Sequence, residues 1–272
     1  MKALMTAWYQ KTIRGVLLDI TGVLYDSGPD GGVAIEGSID AVKRLKASGL
    51  PVRFCTNETT TTRKKLVEKL SKVGFELKET EIFPPIPAVC KILQQRSLRP
   101  YLIVTDECLP DFAAVDQTNP NCVVIGDAET NFSYENLNRA FQIIKSLENP
   151  VLFSMGKGKY YKHGGKLVLD AGPFMKALEY ACDIEAEVVG KPAQAFFHTA
   201  VQDMGITPET CVMVGDDIVG DVGGAQNAGL RGIQVRTGKF RLEDENHPVV
   251  KPDGFVDNLA QAVDLIIAYM SK

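Results

Sequence analysis

Val16-Leu17-Leu18-Asp19-Ile20-Thr21-Gly22-Val23-Leu24 begins as a short apolar run, meets a carboxylate, and turns at a glycine. Such a run reads as a buried strand. An aspartate at its carboxyl end loses hydration on burial, so its presence there points to a task rather than to packing. Far downstream, Cys211-Val212-Met213-Val214-Gly215-Asp216-Asp217 repeats the pattern. If the two strands share one parallel sheet, Asp19 and Asp216 meet at the edge where open α/β sheets bind ligands. Two strand-end acids suit a hard divalent cation such as Mg²⁺, which takes oxygen ligands and keeps positions for phosphate. The chemistry favoured is metal-assisted phosphoryl transfer.

Outward from these strands, strand and helix patterns alternate, which predicts a parallel sheet flanked by helices. Ser38 is placed to cap a helix with Ile39, Val42 and Leu45 on one face, and Gly49 follows its end. Val52-Arg53-Phe54-Cys55-Thr56 reads as the second strand and Ile82-Phe83 as part of a short third one. Between them the threonine run 59–62 precedes a helix with Leu66, Val67, Leu70 and Val73 on one side. Pro84, Pro85 and Pro87 mark an exit from the first domain. Alternation then restarts, with strands expected near 101–105, 122–125 and 151–154. Glu187-Val188-Val189-Gly190-Lys191-Pro192 reads as a strand returning to the first domain. A helix is expected after Gly220, and Asn258 is placed to cap the last one. The organisation is a doubly wound, Rossmann-like core of residues 1–84 and 187–272, with an inserted α/β domain at 85–186.

The chain's 272 residues suffice for two domains, and 45% hydrophobic with 24% charged residues is ordinary for a globular protein. A net charge of −4 argues against a broad nucleic-acid or anionic-membrane surface. The six cysteines are scattered without a Cys-x-x-Cys pair, which suits reduced, buried thiols. No apolar stretch has the length of a membrane span, and residues 1–11 lack the apolar core of a signal peptide. A cytoplasmic location, with the nucleus also open, is the expectation.

Four segments stand at expected strand ends or helix starts: Asp19-Ile20-Thr21-Gly22-Val23, Thr56-Asn57, Lys191, and Gly215-Asp216 with Asp221. In this order they resemble the four motifs of the haloacid dehalogenase superfamily of phosphatases, and the resemblance covers essentially the whole chain. An insertion between the second and third motifs is that superfamily's second cap type. The resemblance implies Asp19 as the nucleophile that forms an aspartyl-phosphate, with Lys191 and Mg²⁺ screening the two anions that must approach. It implies Asp19, the Thr21 backbone carbonyl and Asp216 on Mg²⁺. The substrate would lie against Asp19, Ile20, Thr21, Thr56, Asn57 and Lys191. Thr56 and Asn57 are expected at the start of the following helix, where the dipole favours anions. Asp221 is read as orienting this shell or Lys191 rather than binding the metal directly, and Asp217 is open to both roles, orienting the shell or binding the metal. Each motif alone has an ordinary structural reading as a cap, a turn or a surface lysine; their joint order carries the weight.

One position departs from the pattern. Most phosphatases of this superfamily carry a second aspartate two residues after the nucleophile, which protonates the leaving oxygen and then activates water. Here that residue is Thr21, a poor acid and base near neutral pH. An alkyl phosphate suffers from the loss, because its alkoxide leaves badly without a proton. A phosphoramidate leaves as a neutral amine or imidazole once its nitrogen is protonated, and pyrophosphate leaves as a stable anion. The resemblance, close to a branch acting on phosphohistidine, phospholysine and pyrophosphate, agrees; imidodiphosphate belongs to the same chemistry. The partners implied are small phosphorylated substrates or a phosphohistidine-bearing protein, and a second copy in a homodimer. Two alternatives stay open: a phosphatase for small alkyl phosphates, and a weakly active phosphate-binding protein of the same fold. The run 157–166, rich in lysine, reads equally as a basic cap loop over the substrate or as a solvated hairpin. His163, His198 and His247 adjoin none of the four segments.

Overall fold

The computed structural model describes residues 7–28, 31–164 and 166–270; the side chain of Lys162 is also outside that description. The residues before Ala7 that bear on the signal-peptide expectation, and Gly165 of the lysine-rich run, therefore fall outside it.

Six parallel strands form the larger sheet, in the order Gly254–Val256, Arg231–Val235, Cys211–Gly215, Gly15–Asp19, Val52–Cys55 and Ile82–Phe83. The chain starts in the middle and winds outward to both sides, as a doubly wound α/β sheet does. Every residue of Gly15–Asp19 and of Cys211–Gly215 is buried. Helices cover both faces, so neither strand has a polar side and both read as continuous apolar runs. Leu18, Phe54, Val212 and Val214 pack on one face with Ala41, Leu45, Leu259 and Val263. Leu17, Cys55 and Met213 point the other way, against Phe197, Ala200 and Ala225. Because strand side chains alternate, Leu17 and Leu18 serve opposite layers.

A second parallel sheet, of four strands, is ordered Glu187–Val188, Leu152–Ser154, Cys122–Ile125 and Pro100–Ile103. Ile86, Val89 and Leu93 of the helix Ile86–Gln95 cover one face. Ala140, Ile144, Met175 and Leu178, from the helices Tyr134–Ser146 and Ala171–Cys182, cover the other. Glu187-Val188 does not return to the larger sheet as expected. It lies parallel to Leu152–Ser154, with Glu187 opposite Phe153 and Val188 opposite Ser154. A short apolar run declares itself a strand but not which sheet edge it joins, and that edge is chosen by packing.

Several local expectations resolve in instructive ways. Ser38 does not cap its helix; Gly37, at φ +76°, occupies that position. The Ser38 hydroxyl instead donates to the carbonyls of Leu24 (2.7 Å) and Ile35 (2.6 Å), tying the helix to the loop beyond Asp19. Thr62 caps the helix Arg63–Val73 by accepting the Lys65 N–H at 3.3 Å. Asn258 Oδ1 accepts the Gln261 N–H at 3.0 Å, as expected of a cap. After Asp217 the chain makes a π turn over Ile218–Gly223 before the short helix Gly224–Asn227. The Asp217 carbonyl receives both the Asp221 and the Val222 N–H, at 3.0 and 3.2 Å, and the widened turn sets Asp221 against Gly215. All six cysteines are free, five of them buried and Cys90 half-buried. Among the described residues no helix is long and apolar enough to cross a membrane.

Candidate active site

Adjacent parallel strands bring the two aspartates together. Leu18 lies opposite Val214, and Asp19 lies opposite Cys55. The register places the carboxyl ends of three neighbouring strands at one edge of the sheet. Lys191 reaches this edge from the chain that leaves the four-stranded sheet. Its Nζ donates to Asp19 Oδ1 at 2.6 Å and to the Cys55 carbonyl at 3.2 Å. Nζ also lies 2.6 Å from Asp221 Oδ1, a close ion pair without hydrogen-bond alignment. All of these side chains are buried. Burial opposes the charge on Lys191, but Asp19 and Asp221 outweigh it and hold its pKa above the ordinary lysine range.

Asp216 is fixed through one oxygen only. Its Oδ2 accepts the Lys239 backbone N–H at 2.8 Å, and its carbonyl accepts Gln234 Nε2 at 2.8 Å. Oδ1 is buried and has no hydrogen-bond partner. Burial, with Asp19 and Asp221 nearby, raises the Asp216 pKa well above the usual carboxylate range although Lys239 opposes this. Burial and Asp19 likewise push Asp221 up to about 6, against the pull of Lys191. Asp221 Oδ2 accepts the Asp217 N–H at 3.1 Å. Glycines make the room: a Cβ at Gly22 (φ +89°) or Gly238 (φ +62°) would collide with Asp216 Oδ2, and one at Gly215 with the Asp221 side chain.

These residues fit a divalent cation. Asp19, Asp216 and Asp221 each offer a carboxylate oxygen within 4.8 Å of the others. With Asp217 they crowd four carboxyl groups beside the two ammonium groups of Lys191 and Lys239. The crowding shows in the raised pKa values, and the orphaned Asp216 Oδ1 is an oxygen aimed at nothing else. An all-oxygen donor set of this kind suits Mg²⁺.

The remaining expected residues divide. Thr56 and Asn57 do reach the site edge, but not at a helix start: the helix begins only at Arg63, so no helix dipole acts on them. The Thr56 hydroxyl accepts the Glu58 N–H at 2.9 Å. The Asn57 side chain brackets the Lys191 backbone, accepting its N–H at 2.8 Å and donating to its carbonyl at 2.9 Å. Asp217 accepts the Val219 and Gly220 N–H groups at 3.0 and 2.8 Å and pairs with Lys239 Nζ at 3.1 Å. Burial works against its ionisation, but Lys239 and these amides prevail and lower its pKa. Past Asp19 the chain doubles back: the Ile20 carbonyl accepts the Leu24 N–H at 2.9 Å, and half-buried Thr21 bridges to Tyr25.

Lys239 is the residue that sequence reading missed. Its signal was present, because Thr237-Gly238-Lys239 follows the strand Arg231–Val235 just as Asp19 and Asp216 end theirs. Burial opposes its charge, yet Asp217 and Asp216 raise its pKa above the lysine range. The lysine-rich run is an antiparallel hairpin, Tyr160–His163 paired with Lys166–Leu169, and Lys157, Lys159 and Lys166 are exposed. The inserted sheet meets the core loop 56–60 through backbone at Asp127, whose N–H donates to Thr59 Oγ1 at 2.8 Å. Burial, with Asp170 and Glu58 nearby, pushes Asp127 up to about 7. His198 Nε2 contacts the Ala228 carbonyl at 2.9 Å, a structural role.

A strand-end aspartate paired to a buried lysine, a second strand-end acid with a free oxygen, and an inserted α/β sheet define a hydrolase built for phosphoryl groups. The chain belongs to the haloacid dehalogenase-like hydrolase family: the family so described matches residues 16–118, and a HAD-hydrolase-like family matches 188–262. More particularly, it is 59% identical to the phospholysine phosphohistidine inorganic pyrophosphate phosphatase of Bos taurus, over 98% of this chain and 100% of that one. The Danio rerio protein of the same name is 57% identical, with 95% and 96% of the two chains covered. Among solved structures, a 4-nitrophenylphosphatase from Thermotoga maritima superposes with a TM-score of 0.84 at 25% identity, covering 96% of this chain and 99% of its own.

Proposed function

We propose that this chain is a Mg²⁺-dependent phosphohydrolase. It cleaves the P–N bonds of phosphohistidine, phospholysine and imidodiphosphate, and the P–O–P bond of inorganic pyrophosphate, through an aspartyl-phosphate at Asp19. The observation that carries the chemistry is the buried Asp19–Lys191 pair at 2.6 Å, set beside Asp216 and Asp221. The names of the similar proteins support the substrate class.

In this reading an Asp19 oxygen attacks phosphorus, a P–O bond forms, and the P–N bond breaks. The nitrogen, protonated beforehand, leaves as a neutral amine or imidazole. Water then attacks the acyl phosphate, releases phosphate and restores the Asp19 carboxylate. Lys191 offsets the repulsion between the carboxylate and the arriving anion, and Asp221 holds the ammonium in place. Asp19, Asp216 and the Thr21 carbonyl would hold Mg²⁺, which when bound supplies positive charge to the phosphoryl oxygens. The backbone of Ile20, Thr21 and Asn57 and the Thr56 hydroxyl would receive those oxygens. In this reading the core is 1–84 together with the chain after Val188, and the cap runs from 85 to 188, two residues beyond the expected 85–186, because Glu187-Val188 pairs with Leu152–Ser154. A homodimer located in the cytoplasm and nucleus belongs to the same reading, and sedimentation and cell fractionation test it.

Asp19→Asn is expected to abolish phosphate release from imidodiphosphate and pyrophosphate while leaving the thermal midpoint near that of the native chain. A panel of imidodiphosphate, pyrophosphate and a sugar phosphate, run with Mg²⁺ and with chelator, measures it. Full activity in Asp19→Asn, or preference for the sugar phosphate, would overturn the reading.

A further inference from the structure

The geometry points to Asn57 as a positioning residue that sets the reactive end of Lys191 by gripping its backbone. Both polar atoms of the carboxamide are committed to this grip: Oδ1 takes the Lys191 N–H at 2.8 Å and Nδ2 gives to the Lys191 carbonyl at 2.9 Å. The pairing imitates a strand partner, so it fixes the peptide groups on both sides of the Lys191 Cα. From that Cα the side chain runs inward to place Nζ 2.6 Å from Asp19 and 3.2 Å from the Cys55 carbonyl, beside the start of the loop that bears Asn57. Lysine is a flexible stem with four side-chain torsions. A buried ammonium stays on target only if its root is held.

The inserted sheet is shaped around the same carboxamide. A Cβ at Gly190 would clash with Asn57 Oδ1 and the Met155 carbonyl, and one at Gly156 would lie 3.1 Å from Asn57 Nδ2. Asn57 thus stands where the core loop, the end of the Leu152–Ser154 strand and the returning chain meet. Its side chain contributes to turnover through Lys191 rather than by touching substrate. This presupposes Lys191 in the role given above.

A double-mutant cycle tests the assignment, with Asn57→Ala, Lys191→Ala and the pair assayed for imidodiphosphate hydrolysis and for vanadate affinity by calorimetry. Asn57→Ala is expected to lower kcat about tenfold to a hundredfold with KM within about threefold. In the Lys191→Ala background the same change is expected to cost less than about twofold in either readout. Asn57→Asp, nearly isosteric and still able to accept the Lys191 N–H, is expected to fall between native and Asn57→Ala. It serves for the cycle if the alanine variant does not fold. Losses that multiply in the double variant, or a rise in KM at unchanged kcat, would show Asn57 acting independently of Lys191 and overturn the assignment. Native turnover and vanadate affinity in Lys191→Ala would instead sink the role of Lys191 itself.

Discussion

Gly22 is the residue on which the geometry of Asp216 turns. Its φ of +89° lies in the left-handed region, and any Cβ there would meet Asp216 Oδ2. Gly22→Ala is therefore expected to cost about 1–3 kcal/mol and at least about tenfold in kcat. Urea unfolding and turnover measure the two effects, and native-like values in both would show that Asp216 tolerates displacement. Asp127 carries a prediction of a different sign. Its folded pKa is pushed up to about 7 by burial, with Asp170 and Glu58 adding to it. Below about pH 4 the carboxyl is protonated in both folded and unfolded chains and costs nothing. Between pH 4 and 7 the unfolded chain ionises first, so stability falls as pH rises, and above pH 7 the penalty is constant. Asp127→Asn should gain as much as about 4 kcal/mol over the native chain at pH 8 and little at pH 4. Denaturation curves at the two pH values check this, and a gain that does not depend on pH would contradict it.

At the scale of elements, the loop between Cys55 and Arg63 separates two jobs that the sequence pattern places together. Thr56 and Asn57 serve the sheet edge, whereas Thr62 starts the helix. Thr62→Ala should then lower stability by about 1 kcal/mol, the usual cost of a lost helix cap, and leave kcat/KM for imidodiphosphate unchanged. Thermal unfolding beside steady-state kinetics tests the separation; a large fall in kcat/KM would join the helix start to the site after all. The π turn over Ile218–Gly223 shows the same economy. A regular helix would carry Asp221 round by one residue's rotation, away from Gly215 and Lys191.

At the scale of the whole molecule, four separate stretches of chain supply four carboxyl and two ammonium groups to one sheet edge. Under the proposed function, a cation that offsets these crowded carboxylates stabilises the folded state. Mg²⁺ at about 100 times its dissociation constant should stabilise the native chain by about 2.7 kcal/mol and Asp216→Asn by much less. Thermal midpoints with Mg²⁺ and with chelator measure this without any substrate, and equal shifts in both proteins would remove Asp216 from the cation site. Much of this was legible beforehand, because strands buried on both faces must be apolar, which made Asp19 and Asp216 conspicuous as interruptions. Alternating strand and helix patterns and the order of the four segments pointed to the fold class that the two parallel sheets display. What the linear chain could not contain was partnership across space. Glu187-Val188 joined the smaller sheet, Ser38 bonded inward instead of capping, Lys239 entered the acid cluster, and Asn57 gripped Lys191 from 134 positions away. Hydrophobic pattern and turn chemistry are properties of neighbours in sequence, so the amino-acid order alone determined them. The pairing of buried polar groups depends on which surfaces pack together and exclude water, and only the tertiary structure decided it.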